Sequence, residues 1–245
     1  MIPAIFVLTL RQLLRQRRTL LLVLLAVLPV LLALLFRLTA EEVTPARFAA
    51  NGLFAGFIVN LVLPLTALVV GTAALGQEIE DGTVVYLLGK PLPRWTIVIA
   101  KVAAAWMVTA AVVVACVVVS GLVVLTGEEG YGLTLAFVVA VLAGSLTYSA
   151  LFVGLSIRFG RALIIGLAYV FVWEALVSRF IPGVRFLSVR AYTLGVADGV
   201  TDVPARIFKA SLSPGPAALL LTVVTVLTTA YAIRRLNAYE VSERV

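Results

Sequence analysis

Apolar positions along the chain come in blocks instead of alternating with polar ones. Six blocks, Thr19–Phe36, Leu53–Gly76, Val102–Leu125, Leu133–Ile157, Ala162–Ser178 and Pro216–Ile233, each approach the length of a membrane-crossing helix, which takes roughly 20 residues at about 1.5 Å each. The pattern predicts an all-α integral membrane protein with six transmembrane helices in a single domain. Ahead of the first block lies AIFVLTLRQLLRQRR, where Arg11, Arg15 and Arg18 share one helical face and Phe6, Leu10, Leu13 and Leu14 fall mostly on the other. That phase predicts an amphipathic helix lying in the headgroup plane. A cleaved leader is the competing reading of this region. Its apolar part is too long and RLTAEE is a poor cleavage site, so the first block is read as a retained span.

Polar and small residues interrupt the blocks. Pro29 and Pro64 predict bends in the first two spans, where neighbouring groups must satisfy the freed carbonyls. Gly52 with Gly56, and Ser145 with Ser149, are small pairs that allow two helices to approach closely. Thr222, Thr225 and Thr229 share a face of the last span and are read as bonding their own helix or a neighbour. Asn60, in the second span, is a candidate for lining a path.

Composition agrees with the blocks. The 245 residues are 62% hydrophobic and 13% charged, with mean hydropathy +1.15; soluble domains carry about 45–50% and about 25%. There is no His, which removes His-ligated zinc, His general bases and His triads. One cysteine, Cys116, sits inside an apolar block, where it reads as a small buried hydrophobe. No catalytic residue and no metal set is assigned. The net charge of +7 is read as orientation and lipid contact, with no nucleic acid as partner. Arg11, Arg15, Arg17, Arg18, Lys90, Arg94, Lys101, Arg158, Arg161, Arg234, Arg235 and Arg244 all fall on one side if both termini are cytoplasmic, whereas the short outer loops carry Arg37 and Arg47. The long outer loop, 179–213, adds Arg179, Arg185, Arg190, Arg206 and Lys209, and long loops obey the positive-inside rule less strictly.

Two polar features stand out against this background. The cytoplasmic segment 77–95, QEIEDGTVVYLLGKPLPRW, is acidic at its start, apolar in its middle and basic at its end. Gly82 should end the second span, Thr83 should cap a new turn, and Pro91 and Pro93 should stop it. The expected short helix, Thr83–Gly89, suits either a plug for another protein's groove or a loop folded back on its own bundle. Glu174, in YVFVWEALVSRFIPG, lies about one turn from the outer end of the fifth span. It is read as an end-of-helix acid touching water or Arg179, in preference to a point on a transport path.

The 77–95 segment resembles the hallmark of the type-2 ABC exporter permeases: an acidic pair, Gly-Thr, a Leu-rich turn, Pro, a basic residue, and Lys on the next helix. Here these are Glu78, Glu80, Gly82, Thr83, Leu87, Leu88, Pro91, Arg94 and Lys101. Six spans, a leading amphipathic helix and a long last outer loop match the same family. Asp81 adds an acid, and Val84-Val85-Tyr86 is more β-branched than the usual turn. The resemblance implies a permease that forms half of an export pathway in a prokaryotic plasma membrane, beside a second permease chain. It implies a separate cytoplasmic ATPase that holds ATP and Mg, with no cofactor on this chain, and a coupling helix built on Glu78, Glu80, Asp81, Gly82, Thr83, Val84, Leu87, Leu88, Pro91 and Arg94. The chain has no GxxxxGK[ST] of its own. Two other classes compete: an ion-coupled carrier or channel using Glu174, and a membrane-embedded lipid enzyme using the acids at 78–81.

Overall fold

The structure is a computed structural model that describes residues 2–15, 18–39, 44–84, 93–125, 130–177 and 186–238. Among these residues every regular element is a helix. In chain order they are α1 (Ile2–Arg15), α2 (Arg18–Thr39), α3 (Pro45–Glu80), α4 (Arg94–Val124), α5 (Tyr131–Arg158), α6 (162–177), α7 (Val189–Val200) and α8 (Pro214–Asn237). Each predicted apolar block lies on one of them. Four helices, α3, α4, α5 and α8, are long and apolar enough to cross a membrane. α2 and α6 carry the first and fifth blocks as shorter apolar stretches, Leu24–Thr39 and Ala162–Leu176.

α5 is the central post. It packs against α3, α4, α7 and α8, and its buried side chains include Phe137, Tyr148 and Phe152. One core fills one half of the bundle, called outer here after the expected orientation and the opposite half inner, and in it Phe54, Phe137 and Phe208 meet at tilted angles in sequence. A second core fills the inner half and takes in Ile5 and Leu13 of α1 together with Val70, Ile97 and Val153. At the outer end Arg37 donates to Val123 O at 2.8 Å, tying the end of α2 to the end of α4.

Where α2, α4 and α8 turn away from the core they present apolar side chains, such as Leu31, Leu35, Leu122, Leu219 and Leu227. A helix can leave such a face bare only in an apolar solvent, and α8 is the extreme case, with 17% of its apolar window buried.

α1 is a helix that does not use one apolar face in one way. Ile5, Thr9 and Leu13 form a buried ridge against the protein, while Val7, Leu8 and Leu14 stay exposed beside Arg11. The side chains of Arg15 and Arg18 lie outside the described residues.

The outer half of α3 is wound wide. Residues Phe48–Val62 form a π-helix with i→i+5 closure, ending where Leu63 N–H reaches Ile58 O, just before Pro64. Proline lacks an N–H and crowds the carbonyl four residues back, so a wide turn ahead of it relieves that clash. The winding also changes the meaning of Gly52 and Gly56. A methyl at 56 would meet Asn51 O of the same helix at 2.6 Å, and one at 52 would meet the Phe48 ring. The pair therefore accommodates its own helix and makes no helix–helix approach among the described residues. Close approach occurs instead at Gly71, where a methyl would meet Phe152 Cβ of α5 at 2.9 Å.

Candidate functional site

At the inner end, α3 stops as predicted. Asp81 N–H returns to Gln77 O at 2.9 Å, and Gly82 takes φ +71, a left-handed conformation open to glycine at little cost. Thr83 does not turn forward: its hydroxyl donates back to Glu78 O at 3.3 Å. Glu80, Asp81, Gly82 and Thr83 are exposed, and Val84 is buried. Leu87, Leu88 and Pro91, and with them the expected helix over 83–89, lie outside the described residues.

Two charged members of the predicted coupling set are engaged within the chain. Glu78 Oε1 pairs with Lys101 Nζ at 2.5 Å, with Lys101 2% exposed and Glu78 20%. A lysine so deeply set needs its counter-charge, because an unpaired ammonium would pay heavily for lost hydration. Arg94 Nη1 donates to Leu236 O at 2.6 Å and to Asn237 O at 2.8 Å, carbonyls in the last turn of α8. Beside these groups a groove of about 240 Å³ opens between α3 and α6, lined by Thr72, Gly76, Gln77, Glu80, Arg161 and Leu163, among others.

At the outer end, Glu174 departs from its expected place. It is 1% exposed and so does not touch water, while Arg179, its other expected partner, lies outside the described residues. Tyr169 OH donates to its Oε1 at 2.9 Å, Tyr148 OH at 3.2 Å and Val189 N–H at 3.0 Å, while Ser188 Oγ reaches Oε2 at 2.5 Å. Ser188 is also the N-cap of α7 and accepts from Ala191 N–H at 3.2 Å. The carboxylate thus sits at the positive end of α7, where first-turn N–H groups lack helical partners. One side chain joins α5, α6 and α7. Burial, and then the charge of Glu174, push the Tyr192 hydroxyl above its ordinary value, so it stays a donor and bonds Phe186 O.

A family model described as ABC-2 family transporter protein matches residues 4–185. The chain belongs to the ABC-2 transporter family. No curated protein matches it at a significant level. As an ABC-2 chain with several apolar helices it is a membrane-embedded permease subunit of an ABC transporter. The matched span includes the inner acidic turn, Lys101 and Glu174, and ends before α7 and α8.

Other permease residues take the places their chemistry allows. Asn60 lies on the wide-wound part of α3, and its Oδ1 is buried without a hydrogen-bond partner. Thr225 bonds Leu221 O of its own helix at 2.8 Å and meets Thr147 of α5 at 2.7 Å, and Thr222 bonds Ala218 O, as the plain reading of that face expects. The charge of the outer segment is partly spent internally, since Lys209 pairs with Asp198 at 3.1 Å. Tyr148, Tyr169 and Ser188 carry no recognisable spacing in the sequence. Ser188, a residue of the type that caps helices, was the one available signal.

Proposed function

We propose that this ABC-2 permease is half of an export pathway, pairing with a second permease chain and driven by a separate cytoplasmic ATPase that binds ATP and Mg. In this reading six helices cross the membrane, both termini are cytoplasmic, and the membrane is the plasma membrane of a prokaryote. The 77–95 segment docks in the ATPase, apart from Arg94, whose guanidinium is turned to the end of α8.

The observation that supports it most is the geometry of α4 around that segment. α4 has 31 residues, about 46 Å at 1.5 Å each, against a hydrocarbon core of about 30 Å. Its surplus lies at the inner end, where Trp95 is exposed and Lys101 is paired to α3. α3 and α4 therefore form a braced pair beside the start and end of that segment. The exposed Glu80, Asp81 and Thr83 remain available for a partner's surface. Their charge would set register more than affinity.

The competing classes lose their key residues. A carrier that binds and releases an ion needs an accessible carboxylate, and Glu174 is enclosed by donors from three helices. An enzyme built on the acids at 78–81 would need Glu78, which is turned to Lys101. The test is co-purification from native membranes of the wild-type chain and of a Leu87→Asp/Leu88→Asp variant. The expected result is an ATPase that accompanies the wild type and is lost from the variant. A wild-type chain that purifies without any ATPase overturns the reading.

A further inference from the structure

We infer that Arg94 is a positioning residue that carries movement of the coupling segment to the last helix, α8. The inference rests on the permease reading above and adds a second output to the segment besides the two helices to which it is covalently joined.

The argument starts from α8 itself. It is the least buried of the four long helices, and it packs mainly against α5 and α7. Its contacts with them run largely along small side chains. At the outer end Ala217 is buried against α7, where Gly195 leaves room for it: a methyl at 195 would lie 2.5 Å from Ala217 Cβ. In the middle, Thr225 meets Thr147. At the inner end Ala232 and Leu236 are buried, and the last carbonyls must find donors, because no further helical turn supplies them.

Arg94 supplies those donors from a distance of 142 and 143 residues in sequence. Its guanidinium meets the negative end of the helix, where a cation is stabilising, and both bonds are charge-assisted. Arg94 is also the first residue of α4, directly after the coupling segment and Pro93. Pro93 sits in extended conformation at the N-cap, so Arg94 is held at a rigid corner. Any displacement of the segment that moves this corner moves the donor and, through it, the end of α8.

This assigns Arg94 a task different from direct contact with the ATPase. The test uses the permease with its co-purified ATPase, in a Cys116→Ala background. A spin label is placed singly at Ile99→Cys on α4 or at Arg234→Cys on α8, both at exposed positions. Spectra are compared between nucleotide-free and ATP–vanadate-trapped states. Wild-type Arg94 should give a nucleotide-dependent change at both labels. With Arg94→Ala the change at Ile99 should persist, the change at Arg234 should be lost, and the ATPase should still co-purify. Arg94→Lys, which keeps a cation but not the fork, should restore part of the Arg234 change, and it replaces Arg94→Ala if that variant does not accumulate. An Arg234 change that survives undiminished in the Arg94 variants overturns the inference. Absence of any change at either label with Arg94 intact would instead overturn the permease coupling on which the inference rests.

Discussion

Two carboxylates, one near each end of the bundle, are held in contrasting ways. Glu174 at the outer end is closed off by two tyrosine hydroxyls, a serine hydroxyl and a backbone N–H drawn from three elements. Glu78 at the inner end is held by one ammonium and keeps a fifth of its side-chain surface exposed. The outer arrangement is directional: each donor has a fixed origin, and the acid must stay where they converge. The inner one rests on an ammonium, a point charge whose attraction depends less on direction. A directional joint on the outer side and a less directional one beside the 77–95 segment suit the proposed drive from the inner end.

The comparison is broken most severely at the outer joint. Glu174→Ala leaves several buried donors without their acceptor, at about 1–3 kcal/mol for each that finds no substitute. A loss of about 4 kcal/mol is expected, read as the largest fall in melting temperature in detergent among these variants. Glu174→Gln should lose less, because the amide oxygen still accepts, although its NH2 faces donors. If Glu174→Gln falls as far as Glu174→Ala, directional acceptance is not what holds the joint.

Next comes the inner pair. Lys101→Met strands Glu78, and the expected cost is about 2 kcal/mol, below the usual 3–5 for a fully buried pair because a fifth of the Glu78 side chain is exposed. Adding Glu78→Gln to Lys101→Met should recover most of that loss. A double variant as unstable as Lys101→Met alone would show that the lysine stem, and not the charge pair, was being lost. Ser188→Ala removes both a cap and a carboxylate donor and should cost about 1.5 kcal/mol. Amide exchange at the first turn of α7 should rise more than elsewhere, and a uniform rise would assign the loss to general destabilisation. The smallest effect belongs to Thr225→Val. Interhelical hydroxyl bonds average about 0.6 kcal/mol in membranes, so stability should barely change, and a drop as large as that of Ser188→Ala would mean the contact does more than pack two helices.

The helices were legible in the sequence because the bilayer demands long apolar runs, and each run sits on a helix. The acidic turn and its stop were legible too, since Gly82 has a local reason to break α3. The partners of Glu174 were not. Tyr148 lies 26 residues before it and Ser188 lies 14 after it, across a change of direction, and nothing in local spacing joins them. Arg94 was recognisable as a motif residue, but its direction was not. Whether a guanidinium faces a partner or the chain's own last carbonyls is a matter of how α8 returns. Gly52 and Gly56 misled for a geometrical reason, because GxxxG presumes a pitch that this part of α3 does not have.

That pitch has a practical consequence for anyone mapping the permease by scanning. From Arg47 to Leu61 the exposed or half-exposed positions fall at Arg47 and Phe48, Asn51 and Gly52, Gly56 and Phe57, and Asn60 and Leu61, a recurrence of four to five residues, whereas an ordinary α-helix repeats every 3.6. A labelling profile fitted with one period across the whole helix would drift out of phase before reaching Pro64 and would assign the wrong residues to the accessible stripe. Read with two rulers, one on each side of Leu63, the same profile would resolve into a single continuous surface.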